Sequence, residues 1–131
     1  MRSLDKARAI QRPLVAVVDD DESVRESLPD LLEAFGFRSK VFSSAEEFLS
    51  CDGVSHVKCL VLDIAMSGMS GFDLQQELKV RGHDIPIVFI TAQKDETVRK
   101  RALEGGAVEF LPKPFSDTAL LKALNTALEL D

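Results

Sequence analysis

The chain has 131 residues, 45% hydrophobic and 29% charged, which suits one globular domain with its own core and no need of metal or disulfide staples. Its formal net charge of −6 provides no basic stripe, so direct nucleic-acid binding is not expected. No apolar stretch reaches membrane-spanning length and Met1 to Arg12 lacks a signal-peptide core, so the expected setting is cytoplasmic, without a membrane, and with reduced thiols at Cys51 and Cys59.

Residues 1–12 carry Arg2, Lys6, Arg8 and Arg12 against Asp5 and read as a solvated tail, with one domain over 13–131. Leu14 to Val18 is a short apolar run stopped by Asp19-Asp20-Asp21, the pattern of a strand buried on both faces. Val24, Leu28, Leu31, Leu32 and Phe35 then recur at helical spacing until Gly36. Pro29 lies inside that helix, where it removes a backbone hydrogen bond and predicts a kink. Arg38 to Phe42 is a weaker strand, suited to a sheet edge. Ser44-Ala45-Glu46-Glu47 has the capping-box spacing for a short helix through Leu49.

After a loop from Asp52 to Val57, Cys59 to Leu62 forms another apolar run, ended by Asp63. Gly68 and Gly71 precede a helical pattern that starts at Phe72, continues through Leu74 and Leu78 and stops near Gly82. Pro86 to Ile90 is the most hydrophobic strand and runs into Thr91-Ala92. A polar helix from about Asp95 to Glu104 has only Val98, Ala102 and Leu103 as an apolar face, so it should be loosely held. Val108 to Leu111 is a last short strand before Pro112-Lys113-Pro114. Ser116 caps a final helix with Leu120, Ala123, Leu124, Ala127 and Leu128 on its buried stripe.

Strands alternating with helices call for a parallel sheet covered on both faces, with right-handed crossovers. All carboxyl strand ends then share one rim, where open α/β sheets place their ligands. Asp19, Asp20, Asp63, Thr91 and Lys113 should meet there. Each has a bland reading alone: Asp20 or Asp21 as a helix cap, Asp63 as a turn residue, Thr91 as a strand end and Lys113 as a surface lysine. Their coincidence at matching strand ends favours a site. Neighbouring carboxylates need a cation to remain ionised together, and an oxygen-only ligand set selects Mg²⁺. His56 and His83 are isolated and read as surface or loop residues. With Lys113 and Thr91 added, the set suits in-line phosphoryl transfer to Asp63 as the nucleophile.

These residues resemble the receiver domain of two-component response regulators. The matching elements are Val18-Asp19-Asp20, Leu62-Asp63 with Met66 and Gly68-Met69-Ser70-Gly71, Ile90-Thr91-Ala92, and Phe110-Leu111-Pro112-Lys113-Pro114-Phe115. The run Val17 to Arg25 looks most like FixJ-type regulators. The resemblance implies a flavodoxin-like doubly wound α/β domain, with five parallel strands in the order 2-1-3-4-5 flanked by five helices. It implies that Asp63 takes phosphate from a sensor histidine kinase or a small phosphodonor. Mg²⁺, with Mn²⁺ able to substitute, would be held by Asp20, Asp63, the Ala65 carbonyl and, through water, Asp19. Thr91 and Phe110 match the family's switch pair, in which the hydroxyl moves toward the phosphoryl group and the ring turns inward. A cis bond is expected between Lys113 and Pro114. The family likeness further suggests dimerisation through the fourth helix and fifth strand, and a place in a longer DNA-binding transcriptional regulator. The resemblance also implies that the chain is not an enzyme and promotes only its own phosphorylation and dephosphorylation.

Ser67 stands where the family usually has proline, Ala65 where some members carry a polar side chain, and Pro29 interrupts a surface that members often present to kinases. Two other functions fit less well. A haloacid-dehalogenase-like phosphohydrolase wants a second acid two residues after its nucleophile, and position 65 is alanine. A flavodoxin-like nucleotide binder wants a glycine-rich loop after the first strand, where this chain has acids.

Overall fold

Five strands and five helices alternate in the computed structural model, which describes residues 12–93 and 95–129. They are β1 (Leu14–Val18), α1 (Glu22–Ala34), β2 (Arg38–Phe42), α2 (Ala45–Leu49), β3 (Cys59–Asp63), α3 (Gly71–Val80), β4 (Ile87–Thr91), α4 (Glu96–Glu104), β5 (Glu109–Pro112) and α5 (Asp117–Ala127). A single 3₁₀ turn, Val54–His56, leads into β3. The strands form one parallel sheet in the order β2-β1-β3-β4-β5, as the resemblance implies. The expected tail lies outside the described residues, apart from Arg12.

Side-chain alternation along each strand divides the core between the two faces of the sheet. Val15, Val17, Val61, Val88 and Ile90 pack under α1 and α5 with Leu28, Leu32, Leu120 and Leu124. Ala16, Val18, Leu60, Leu62 and Phe89 pack on the other face with Phe48, Leu74, Leu78, Ala102 and Phe110. Burial on both faces explains why β3 and β4 read as unbroken apolar runs. The edge strand β2 exposes Arg38 and Lys40, as its sequence suggests.

Local signals set most boundaries. Asp21 caps α1 by accepting from the Ser23 amide at 2.9 Å, and Ser116 caps α5 by accepting from the Ala119 amide at 3.0 Å. Helix α1 runs through Pro29 without a break. Some local readings need correction. Ser44 does accept from the Glu47 amide, yet the Glu47 carboxylate reaches the Ser43 amide at 2.7 Å, one residue short of a closed capping box. The closed box lies at Ser70 and Asp73, so α3 begins at Gly71, one residue before Phe72. Strand β5 is also displaced by one residue, to Glu109–Pro112.

Candidate functional site

Strand register assembles the site. Val18 stands opposite Leu62, so Asp19 leaves β1 beside Asp63 at the end of β3. Asp63 pairs with Ile90, placing Thr91 one step farther out, and Thr91 pairs with Pro112, which puts Lys113 one step beyond that. The sheet thus delivers four strand ends to one rim as a short staircase.

Asp19 is fully buried and Asp63 is 5% exposed, while Asp20 faces solvent. One carboxylate oxygen from each of the three lies within 4.8 Å of the others. Lys113 Nζ donates to Asp19 Oδ2 at 2.8 Å and stands 3.8 Å from Asp63 Oδ1. The lysine therefore hydrogen-bonds Asp19 and forms a longer ion pair with Asp63. The Lys113 amide donates to the Thr91 carbonyl at 2.6 Å, and the bond from Lys113 to Pro114 is cis, as expected.

Burial is the main reason that Asp63 holds its proton up to about pH 7, and the charge of Asp19 adds to it, against the pull of Lys113. Burial alone would lower the Lys113 pKa. The Asp19 hydrogen bond and the charges of Asp63, Asp19 and Asp21 outweigh it and raise the value. Asp21, turned to its own helix, is held below the usual carboxylate range by its bonds from Ser23. A site with two buried carboxylates, a third in solvent and one lysine remains short of positive charge.

Thr91 is fully buried, and its Oγ1 accepts from the Gln93 amide at 3.0 Å. Phe110 is already buried at 5% exposure, in the core layer beneath α2, α3 and α4. Ala65 is exposed in the β3–α3 loop, and its carbonyl accepts no hydrogen bond from a described residue. The next residue with a role, Ser67, directs its amide to Asp20 Oδ2 at 3.4 Å. His56 lies on the surface and His83 is half-buried near the far end of α3.

Three residues support the site in ways that the sequence reading did not assign. Arg25 donates from its guanidinium to the Asp19 carbonyl at 2.9 Å, one helical turn into α1. Glu46 accepts from the Met69 amide at 3.0 Å and so ties the β3–α3 loop to α2. Gly71 is buried against the end of β3, with its amide donating to the Ile64 carbonyl at 2.9 Å. Only Gly71 had a sequence signal, the Ser70 and Asp73 cap around it.

The response regulator receiver domain matches residues 15–125. The chain belongs to this family. Nodulation protein W from Bradyrhizobium diazoefficiens is 44% identical over 123 residues, which is 94% of this chain and 54% of that protein. Among solved structures, the response regulator StyR has a TM-score of 0.83 at 49% identity and covers 90% of this chain and 60% of its own. FixJ-N has a TM-score of 0.81 at 39% identity and covers 91% of this chain and 95% of its own. The chain spans about half the length of the curated relatives it matches.

The domain is therefore a signalling module of two-component systems, whose receivers interact with sensor histidine kinases. Receivers bind Mg²⁺ at an acidic pocket, and the three aspartates here offer one with oxygen donors only. Among the described residues, no helix is long and apolar enough to cross a membrane.

Proposed function

We propose that Asp63 is the phosphoacceptor of this receiver, within a domain spanning residues 13–131. The observation that carries this reading is the placement of its buried carboxylate between Asp19, Asp20 and the Lys113 ammonium. An Asp63 oxygen attacks phosphorus in line as the bond to the donor's imidazole nitrogen, or to acetate oxygen, breaks. The donor leaves with that electron pair, and Asp63 carries an acyl phosphate.

Asp20, Asp63 and the Ala65 carbonyl would hold Mg²⁺ or Mn²⁺, with Asp19 acting through water. The metal supplies positive charge opposite the phosphoryl oxygens. Lys113, tethered by Asp19, stands close enough to shift toward those oxygens. The Thr91 hydroxyl already uses its oxygen to accept from Gln93, which leaves its proton to donate to the phosphoryl group. Thr91 and Phe110 form the switch, and the Phe110 ring starts from a buried position. Output passes through α4, β5 and α5, with a homodimer through α4 and β5 in the phosphorylated form. On this reading the protein works in the cytoplasm with a sensor histidine kinase as its phosphodonor, and the whole regulator is a longer DNA-binding transcription factor. The likeness to FixJ, a transcriptional regulatory protein, supports that last step.

Incubation with acetyl phosphate and Mg²⁺ is expected to add one phosphoryl group, located on Asp63 by fragmentation of the intact chain. Excess chelator should prevent it. A group placed on another residue, or uptake indifferent to chelator, would falsify the assignment.

Mg²⁺ and the Asp63 proton compete for the same oxygens. Because Asp63 loses that proton near pH 7, Mg²⁺ affinity should climb between about pH 6 and 8 and then level off. Calorimetry in buffers of different ionisation enthalpy should record close to one proton released per metal near pH 6. A flat affinity profile across this range is incompatible with the reading.

A further inference from the structure

The loop between β3 and α3 carries Ala65, and backbone bonds anchor its two ends. The Ile64 amide donates to the Ile90 carbonyl at 3.3 Å, and the Gly71 amide returns to the Ile64 carbonyl at 2.9 Å. Between those anchors, two amides of the loop bind carboxylates of other segments. The Ser67 amide donates to Asp20 Oδ2 at 3.4 Å, and the Met69 amide donates to Glu46 Oε2 at 3.0 Å. The first bond is long, and its acceptor belongs to the acidic cluster itself. The second has ordinary length, and its charged acceptor lies outside that cluster.

Glu46 stands on a firm base. Ala45 and Phe48 beside it in α2 are fully buried, and the Phe48 ring meets the Phe42 ring edge to face, with centroids 5.2 Å apart. The loop is shaped to receive the acid. Gly68 has a φ of +74°, and a Cβ there would come within 2.7 Å of Glu46 Oε2. Met66 and Met69 flank this point, and both pack on the core layer that holds Phe48. The intervening backbone is soft, because glycine adopts either sign of φ and Ser67 lacks the ring by which proline fixes it. The tie to Glu46 therefore decides how closely the carbonyls of this loop are placed.

We propose that Glu46 is a positioning residue of the metal site: by holding the Met69 amide it fixes the Ala65 carbonyl for a small ion, and so sets the preference for Mg²⁺ over Ca²⁺. The proposal rests on the reading of the Ala65 carbonyl as a metal ligand. Mg²⁺ demands a near-octahedral shell with ligands at about 2.0–2.1 Å, whereas Ca²⁺ accepts irregular shells at about 2.3–2.6 Å. A carbonyl free to drift thus weakens Mg²⁺ binding more than Ca²⁺ binding. A merely structural or charge effect of Glu46 would weaken both ions alike.

Calorimetric titration of the full chain with each ion separately tests this. Glu46→Ala should weaken Mg²⁺ binding about tenfold and Ca²⁺ binding less than about threefold, so the ratio of affinities falls. Glu46→Gln keeps an oxygen that accepts from Met69 and removes the charge, so both affinities should fall alike and the ratio should hold. Exchange of the Met69 amide, followed by NMR without metal, should quicken about fivefold in Glu46→Ala and by less in Glu46→Gln. An unchanged ratio in Glu46→Ala, or an equal fall of the ratio in Glu46→Gln, overturns the assignment. So does a fallen ratio with unaltered Met69 exchange, since the acid would then act otherwise than through the loop. Failure of the unaltered chain to bind Mg²⁺ overturns the metal-site reading itself, and this proposal with it.

Discussion

Asp63→Asn is expected to abolish Mg²⁺-dependent phosphoryl uptake and, without metal, to make the domain more stable at pH 8. The second effect follows from the buried position of the carboxylate. In the fold Asp63 keeps its proton up to about pH 7, against an ordinary value of 3.8. Between those values the folded chain holds a proton that the unfolded chain has lost, so metal-free stability falls as pH rises through that window. Asparagine has no proton to lose and escapes the fall. The width of that window sets a ceiling of about 4 kcal/mol. Relaxation of Lys113 and entry of water reduce the expected gain to about 1–3 kcal/mol at pH 8. Below about pH 4, where the native residue is neutral in both states, the difference should vanish.

Mg²⁺ should offset that gain. At one hundred times its dissociation constant a metal bound only by the folded chain adds about 2.7 kcal/mol, and Asp63→Asn forfeits most of that. Urea melts at pH 4 and pH 8, with and without Mg²⁺, measure all four quantities. Equal metal-free stability of the two proteins at pH 8 would show that Asp63 carries no electrostatic strain.

Gly71→Ala should be the most damaging single methyl in the β3–α3 loop. A Cβ at this position would overlap the Asp63 carbonyl oxygen, lie 2.9 Å from the Ile64 Cα and 3.1 Å from the Phe89 ring. Two of those neighbours are backbone at the end of the central strand, which cannot turn aside as a flexible side chain would. Either α3 moves off the sheet or Asp63 is displaced. The expected cost is about 2–4 kcal/mol, read as a fall in Tm of roughly 10 °C. Phosphoryl uptake should suffer as well, because the strained atoms carry the acceptor. Gly82→Ala is the matched control. Gly82 has a φ of +79° with open space around it, so alanine there brings only conformational strain of about 1 kcal/mol. If the two substitutions cost the same, the close approach of α3 to Asp63 is not what constrains position 71.

The sheet and its rim were legible in the sequence because burial on both faces leaves an unmistakable mark. An apolar run followed at once by Asp19, Asp63 or Thr91 tells both that a strand is central and where it ends. Register could not be read in the same way, since it depends on pairings between distant segments, and the preference of Lys113 for Asp19 is a consequence of register. Supporting contacts were hidden for a different reason. Arg25 and Glu46 look like ordinary solvated charges on helices α1 and α2, and only the folded chain shows that each holds a backbone group of the site. The short helix after Ser44 illustrates competition between equal local signals. The Glu47 carboxylate accepts from the Ser43 amide in place of the Ser44 amide that a closed box would use.

The staircase of strand ends has a bearing on how the protein matures. Asp19, Asp63, Thr91 and Lys113 are separated by long stretches of chain, and none of them meets the next through local structure. On a ribosome, the acids emerge well before the lysine. A sheet still lacking β5 would bring Asp19 and Asp63 together without the Lys113 ammonium that pairs with them, and so would lack the proposed acceptor site. Only docking of the last strand, the slowest kind of non-local pairing, completes the set. If Asp63 is the acceptor as proposed, a nascent chain should take up no phosphoryl group until β5 has docked.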